Sequence, residues 1–198
     1  MNLVIVGSGG ANIASLQAAL DRLDCAATLS TDADTIRAAS HVILPGVGAA
    51  ADAMARLREL ALDTVLRDLE QPVLGICLGM QLLADASEED GAACLGLTKD
   101  RARLIRSAPE RPVPHMGWNT VAATRASPLF EGIPDGSHFY FVHSYALPVS
   151  DATIARCEYG ESFAAAIQRG NYFGTQFHPE RSAKAGARLL ANFLALDA

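Results

Sequence analysis

The sequence predicts an α/β protein with a mostly parallel central sheet flanked by helices and an additional antiparallel β region. Three observations carry that expectation. Short apolar, β-branched runs alternate with helical segments up to about residue 90, the βαβ rhythm of a parallel sheet. Several of those runs are apolar throughout rather than alternating, as strands covered on both faces are. After about residue 90 the rhythm gives way to short extended runs separated by glycine and proline. The 198 residues, half of them apolar, suit a single domain spanning 1–198 with a full hydrophobic core.

Taken in order, "NLVIVG" (2–7) reads as a buried strand. "ANIASLQAALDRL" (11–23) sets Ile13, Leu16, Leu20 and Leu23 at helical spacing. "CAATLS" is a second strand and "TDADTIRAA" a short helix capped by threonine or aspartate. "HVILPG" is a third strand, followed by one long helical segment over 47–70. "QPVLGI" is a fourth strand and "LGMQLLADA" the helix after it. Beyond these, "RPVPHMGWNTV", "HFYFVHSYAL", "ATIARCEYG", "FAAAIQRG" and "YFGTQFHPE" read as strands and hairpins, and "SAKAGARLLANFLAL" closes the chain as an amphipathic helix. The aromatic run "FYFV" is most simply core packing.

Composition excludes several function classes. Sixteen basic against 22 acidic residues give a formal charge of −6, with no lysine or arginine cluster, so the chain lacks the basic face that a nucleic-acid partner requires. Its longest nearly apolar stretch, "VLGICLGMQLLA", is too short to cross a bilayer and contains Gln81, which predicts no membrane partner. The N-terminus lacks the basic start of a signal peptide. Cys25, Cys77, Cys94 and Cys157 form neither a CxxC pair nor a zinc or disulfide spacing. A reducing, cytoplasmic setting without a metal is the expectation.

The chemistry gathers around Cys77. Between the strand "QPVLGI" and the helix "LGMQLLADA" it sits in a tight joint flanked by Gly75 and Gly79, the geometry of a nucleophile elbow with cysteine in place of serine. Both glycines fit a place where backbone comes close. The Leu78 amide at the helix start can donate to a developing oxyanion, and the helix N-terminus favours a thiolate. An inert cysteine in a glycine-bearing turn is the competing reading. His178 ends an alternating apolar run that delivers it to one end of the sheet, and Glu180 follows two residues later across Pro179. A carboxylate beside an imidazole fixes its tautomer and stabilises the imidazolium. Alone, "HPE" reads rather as a strand-ending turn; with Cys77 it completes a nucleophile, base and orienter. "ILPGVGAA" (43–50) is a second glycine loop after a strand, without the G-K-[ST] of a phosphate loop, and is placed to supply a second oxyanion donor. His138 and His143, five apart on one strand, point to opposite faces and make a poor metal pair. His41 and His115 read as hydrogen-bonded structural residues.

"PGVG", "GICLGMQLL", "PHMGWN", "YFVHSY" and "QFHPERS" occur in an order that resembles the class I (triad-type) glutamine amidotransferases, which have a flavodoxin-like fold. "PHMGWN" and "YFVHSY" narrow the resemblance, along essentially the whole chain, to the family of glutaminase subunits of imidazole glycerol phosphate synthase. The resemblance implies a heterodimer in which this subunit hydrolyses L-glutamine. A (β/α)8-barrel cyclase subunit, HisF, would take the ammonia through an internal tunnel and form imidazole glycerol phosphate and AICAR, with no cofactor. It implies Cys77 as nucleophile, His178 as base, Glu180 as orienter, and Val47 and Leu78 as oxyanion donors. Gly46, Gly48, Gln81, His143, Ser144 and Tyr145 would meet the substrate, and Asn12, Trp118, Asn119 and Tyr140 the partner. Two loops depart from the family: Ala49 and Ala50 stand where many members carry an aromatic, and "GSGGAN" (7–12) stands for the usual "YGMGN", with Asn12 kept. Two rival readings remain open on the residues. One is another triad amidotransferase or a γ-glutamyl peptidase; the other is a catalytically silent binding subunit.

Overall fold

The structure is a computed structural model and describes residues 1–7 and 13–197. In chain order its elements are β1 (Leu3–Val6), α1 (Ile13–Asp21), β2 (Ala27–Ser30), α2 (Ala33–Arg37), β3 (His41–Gly46), α3 (Ala50–Glu59), α4 (Leu62–Arg67), β4 (Val73–Cys77) and α5 (Leu78–Leu82). The second half adds β5 (Ala86–Ser87), β6 (Arg101–Leu104), β7 (His115–Ala123), β8 (Ser137–His143), β9 (Tyr145–Ala146), β10 (Thr153–Glu158), β11 (Ser162–Arg169), β12 (Tyr172–Thr175) and α6 (Ala183–Leu194).

One nine-stranded sheet runs in the order β2-β1-β3-β4-β12-β11-β10-β7-β8. Its first five strands are parallel, in the doubly wound order of flavodoxin-like sheets, and the rest continue it antiparallel. The expected antiparallel region is therefore an extension of the central sheet, and a three-stranded sheet of β5, β6 and β9 lies beside it. Strand alternation divides the core between the two faces. Val4, Val6, Val42 and Leu44 face one cluster with Met54 and Leu57 of α3, while Leu3, Ile5 and Ile43 face the other with Leu20, Phe139, Phe177, Leu189 and Phe193. Phe139 and Phe141 are fully buried, as packing residues would be.

Two helices differ from the sequence expectation. The segment over 47–70 is two helices rather than one, because Ala61 takes a left-handed conformation (φ 52°, ψ 25°) between α3 and α4. That bend lets Leu57 and Leu62, on either side of it, both bury completely. The helix after β4 lasts only five residues, since the chain turns at Leu83 to form β5. Among the described residues no helix is long and apolar enough to cross a membrane.

Candidate active site

Cys77 closes β4 and caps α5 with φ 55° and ψ −111°, a conformation that L-residues avoid and that costs on the order of 1–3 kcal/mol. The flanking glycines explain how the joint is possible, and the reason is contact rather than torsion. A β-carbon on Gly75 would lie 2.6 Å from the Gly79 carbonyl oxygen, and one on Gly79 would overlap the Leu44 carbonyl. Gly46 is part of the same contact, since its β-carbon would lie 2.8 Å from the Gly79 nitrogen. β3, β4 and α5 thus touch backbone to backbone, and the joint lifts Cys77 above the carboxyl ends of the strands.

Register brings three strands level there. Gly46 pairs with Cys77, and Thr175 pairs with Ile76, so Gln176 follows beside Cys77. Two residues further on, a 3-10 turn over Pro179–Arg181 folds Glu180 back onto the His178 ring. His178 Nδ1 lies 2.8 Å from Glu180 Oε1, and both side chains are buried. His178 Nε2 is buried with no conventional hydrogen-bond partner, while the Cys77 sulfur is near enough to act on its proton affinity. Burial by itself would lower the His178 pKa; the bonds and charges of Cys77 and Glu180 outweigh it and raise the pKa to about 10. The arrangement favours imidazolium beside sulfur. Cys94 and Cys157 are the opposite case, as burial pushes their thiols up to about 11 and about 12 and leaves them unreactive.

A cavity of about 330 Å³ opens over this group. Val47, Gly48, Cys77, Leu78, Gln81, His143, Ser144, Tyr145, His178 and Glu180 all line it, so most of the expected substrate and oxyanion residues do converge. Gly46 stands in β3 behind this wall rather than in the cavity's lining. A larger cavity, near 700 Å³, is lined mainly by the connection from β7 to β8, with Phe130 and Ile133, and does not include the cysteine. Gly48 has φ +89° and open space around it, so the Val47–Gly48 peptide is the one part of this loop with steric room to turn.

The residues expected at a partner surface divide. Trp118 is 53% exposed on one face of β7, beside the 63% exposed Met116, which was not among the expected residues. Trp118 meets the half-buried Tyr140 edge-on at 6.1 Å, and the Arg181 guanidinium lies 4.6 Å from the centre of the Tyr140 ring. Asn119 is on the opposite face of β7, with its amide bonded inward to His115 and to the Glu158 carbonyl. Asn12 lies outside the described residues. His138 is exposed and His143 buried, on opposite faces of β8.

Four site residues escaped the sequence reading, one of them Val142, which lines the cavity and whose carbonyl lies 3.7 Å from the Cys77 sulfur. Gln176, fully buried, touches the Cys77 sulfur through Nε2 at 3.7 Å. It lies inside "QFHPE", and its being level with Cys77 is visible only once β12 is paired with β4. Glu89 reaches the cavity from a turn after β5 and accepts the Ala50 amide at 2.8 Å. That bond caps α3, whose preceding residue, Ala49, has no side chain able to do so. Arg181 at the rim sits next to Glu180 and carried no separate signal.

The glutamine amidotransferase class-I family model matches residues 5–196. The chain is 53% identical to the imidazole glycerol phosphate synthase subunit HisH of Vibrio cholerae, over 98% of both chains. It is 50% identical to that subunit of Xylella fastidiosa, over 99% of this chain and 98% of the other. A solved glutamine amidotransferase superposes with TM-score 0.76 at 19% identity, covering 98% and 97% of the two chains. A second solved glutamine amidotransferase, from Thermotoga maritima, gives 0.63 at 17% over 98% and 82%. These two share the fold. A cysteine elbow with a buried His–Glu pair, carried on a chain this close to its relatives from end to end, belongs to the class-I glutamine amidotransferases, in the family of imidazole glycerol phosphate synthase HisH subunits.

Proposed function

We propose that the chain hydrolyses L-glutamine to glutamate and ammonia at Cys77 and passes the ammonia to a (β/α)8-barrel cyclase subunit, HisF, in a cytoplasmic heterodimer. The observation that carries the reading is the strained Cys77 in the wall of an open cavity, with His178 held by Glu180 at 2.8 Å. The Cys77 thiolate attacks the side-chain amide carbon of glutamine. Amides of Val47 and Leu78 take the oxyanion, a donor of this kind being worth about 3 kcal/mol in another enzyme. Protonated His178 gives its proton to the departing ammonia, and neutral His178 then activates water to cleave the γ-glutamyl thioester. Glu180 keeps Nδ1 protonated and Nε2 facing the sulfur. Both N–H groups of Gln81 are engaged, by the Tyr145 carbonyl and by Gln176 Oε1, so it meets substrate as an acceptor through its own Oε1.

The partner reading rests on the exposed Met116 and Trp118 beside Tyr140 and Arg181, an aromatic and apolar patch with a cation at the rim of the same cavity. Cys77→Ala should abolish glutamine hydrolysis while the chain still binds its cyclase subunit, and added ammonium salt should restore product formation by the complex. Glutamine hydrolysis that survives in Cys77→Ala overturns the reading.

A further inference from the structure

Gln176 is not alone behind the sulfur. Its Nε2 donates to Cys77 Sγ at 3.7 Å, and its Oε1 accepts from Gln81 Nε2 at 2.9 Å. Gln81 Nε2 also donates to the Tyr145 carbonyl at 2.8 Å, and that carbonyl receives His143 Nδ1 at 2.9 Å. His143 Nε2 meets His115 Nδ1 at 3.0 Å, and His115 Nε2 meets Asn119 Nδ2 at 3.3 Å.

The direction of every bond in this series follows from its ends. A carbonyl only accepts, so His143 carries its proton on Nδ1 and accepts at Nε2. His115 must then donate from Nδ1 and accept at Nε2. Asn119 agrees from the other end, because its Oδ1 accepts the Thr120 amide at 2.8 Å and its Nδ2 also donates to the Glu158 carbonyl at 3.0 Å. A second proton on either histidine would set two N–H groups against each other. Burial holds both rings neutral, taking His115 down to about 4 and His143 to about 3. The same carbonyl fixes Gln81 with its NH2 inward, and Gln81 in turn fixes Gln176 with its NH2 toward sulfur.

We propose that Asn119, His115, His143, Gln81 and Gln176 form one positioning chain running from β7 to the nucleophile, and that Gln176, its last member, holds the Cys77 sulfur through a side-chain N–H. The inference rests on Cys77 being the nucleophile. It gives the histidines of "PHMGWN" and "YFVHSY" a shared role, as neutral relays of orientation that move no proton. The Val142 carbonyl, 3.7 Å from Sγ, accepts from the thiol. Gln176 is the neutral donor that still faces the sulfur once the thiol proton has left, and a hydrogen bond to a charged acceptor is the stronger one.

Iodoacetamide labelling of Cys77 in the full chain without glutamine, read on the Cys77 peptide by mass spectrometry, tests this apart from turnover. Gln176→Met, which keeps the length and removes the donor, should slow labelling at pH 7 by about threefold to tenfold. Gln176→Glu, which keeps the acceptor and removes the N–H, should slow it similarly. For glutamine, kcat should fall more than KM changes. Asn119→Ala should slow labelling less, and Asn119→Ala with Gln176→Met should be no slower than Gln176→Met alone, because the chain is already cut. In the unaltered protein the Gln176 side-chain amide resonances should move when Cys77 is carbamidomethylated. Labelling within twofold of wild type in folded Gln176 variants, additive slowing in the double variant, or amide resonances that stay fixed would each overturn the proposal. Lost glutaminase activity with unchanged labelling overturns it too, while leaving Cys77 as nucleophile.

Discussion

His178 is the imidazole at the site whose neighbours favour its charged form. Its pKa, near 10 in the folded chain against an ordinary 6.5, is raised, so the imidazolium contributes stability in full below about pH 6.5 and loses it as pH climbs toward 10. Urea unfolding of wild type and His178→Gln should therefore diverge at neutral pH and converge near pH 10. A gap that widens with pH would contradict the ion-pair account. The triad members should also differ in severity. His178→Ala removes base and acid together and should cost about 10³-fold in kcat. Glu180→Gln leaves the ring present but poorly held and should cost less than His178→Ala. Steady-state kinetics on both variants decides it, and a Glu180→Gln loss equal to that of His178→Ala would deny the division of roles. Cys77, His178 and Glu180 were legible in the sequence because their neighbours are local: glycine on either side of the first, one proline between the others. Gln176 was not legible as a contact, since nothing local says that it lies level with a cysteine 99 positions earlier.

The joint of β3, β4 and α5 shows why glycine recurs there. Gly79→Ala forces its methyl into the Leu44 carbonyl and should destabilise the chain by about 3 kcal/mol or more. Gly48→Ala meets open space and a φ of +89°, and should cost only about 1 kcal/mol. Denaturant midpoints of the two variants test the contrast; equal losses would mean that the close approach does not limit the fold. The strands were readable because apolar runs ending in glycine are a local signal. The division of 47–70 into α3 and α4 was not, because an alanine turns left-handed at Ala61 only where Leu57 and Leu62 must both reach the core. The short α5 was hidden for a similar reason, as the chain after Leu83 leaves for a small second sheet at Ala86–Ser87.

Across the molecule, the cavity and the exposed Trp118–Tyr140–Arg181 patch share the His178 turn, whose amide is bonded to the Tyr140 carbonyl at 2.9 Å. A partner seated on that patch touches the strand that carries one wall of the site. The Val47–Gly48 peptide, with room to turn, is the element a partner can bias. Ligand in the cyclase subunit should raise glutamine turnover mainly through kcat, since an oxyanion donor matters most in the transition state. Gly48→Val should blunt that stimulation more than it weakens subunit binding. Equal kcat in the isolated chain, the complex and the liganded complex would refute the switch and leave the triad untouched. Of the exposed patch the sequence singled out Trp118 and Tyr140 but not the surface they make: alternation along β7 puts Trp118 outside and turns Asn119 inward to His115.

Cys77 as the nucleophile is tested by acid quenching during glutamine turnover by the complex, followed by peptide mass spectrometry. A γ-glutamyl thioester should appear on the peptide containing Cys77, increase in Glu180→Gln, where deacylation is slowed, and be absent from Cys77→Ala. A glutamyl adduct on any other side chain, or turnover by Cys77→Ala at the wild-type rate, would contradict it.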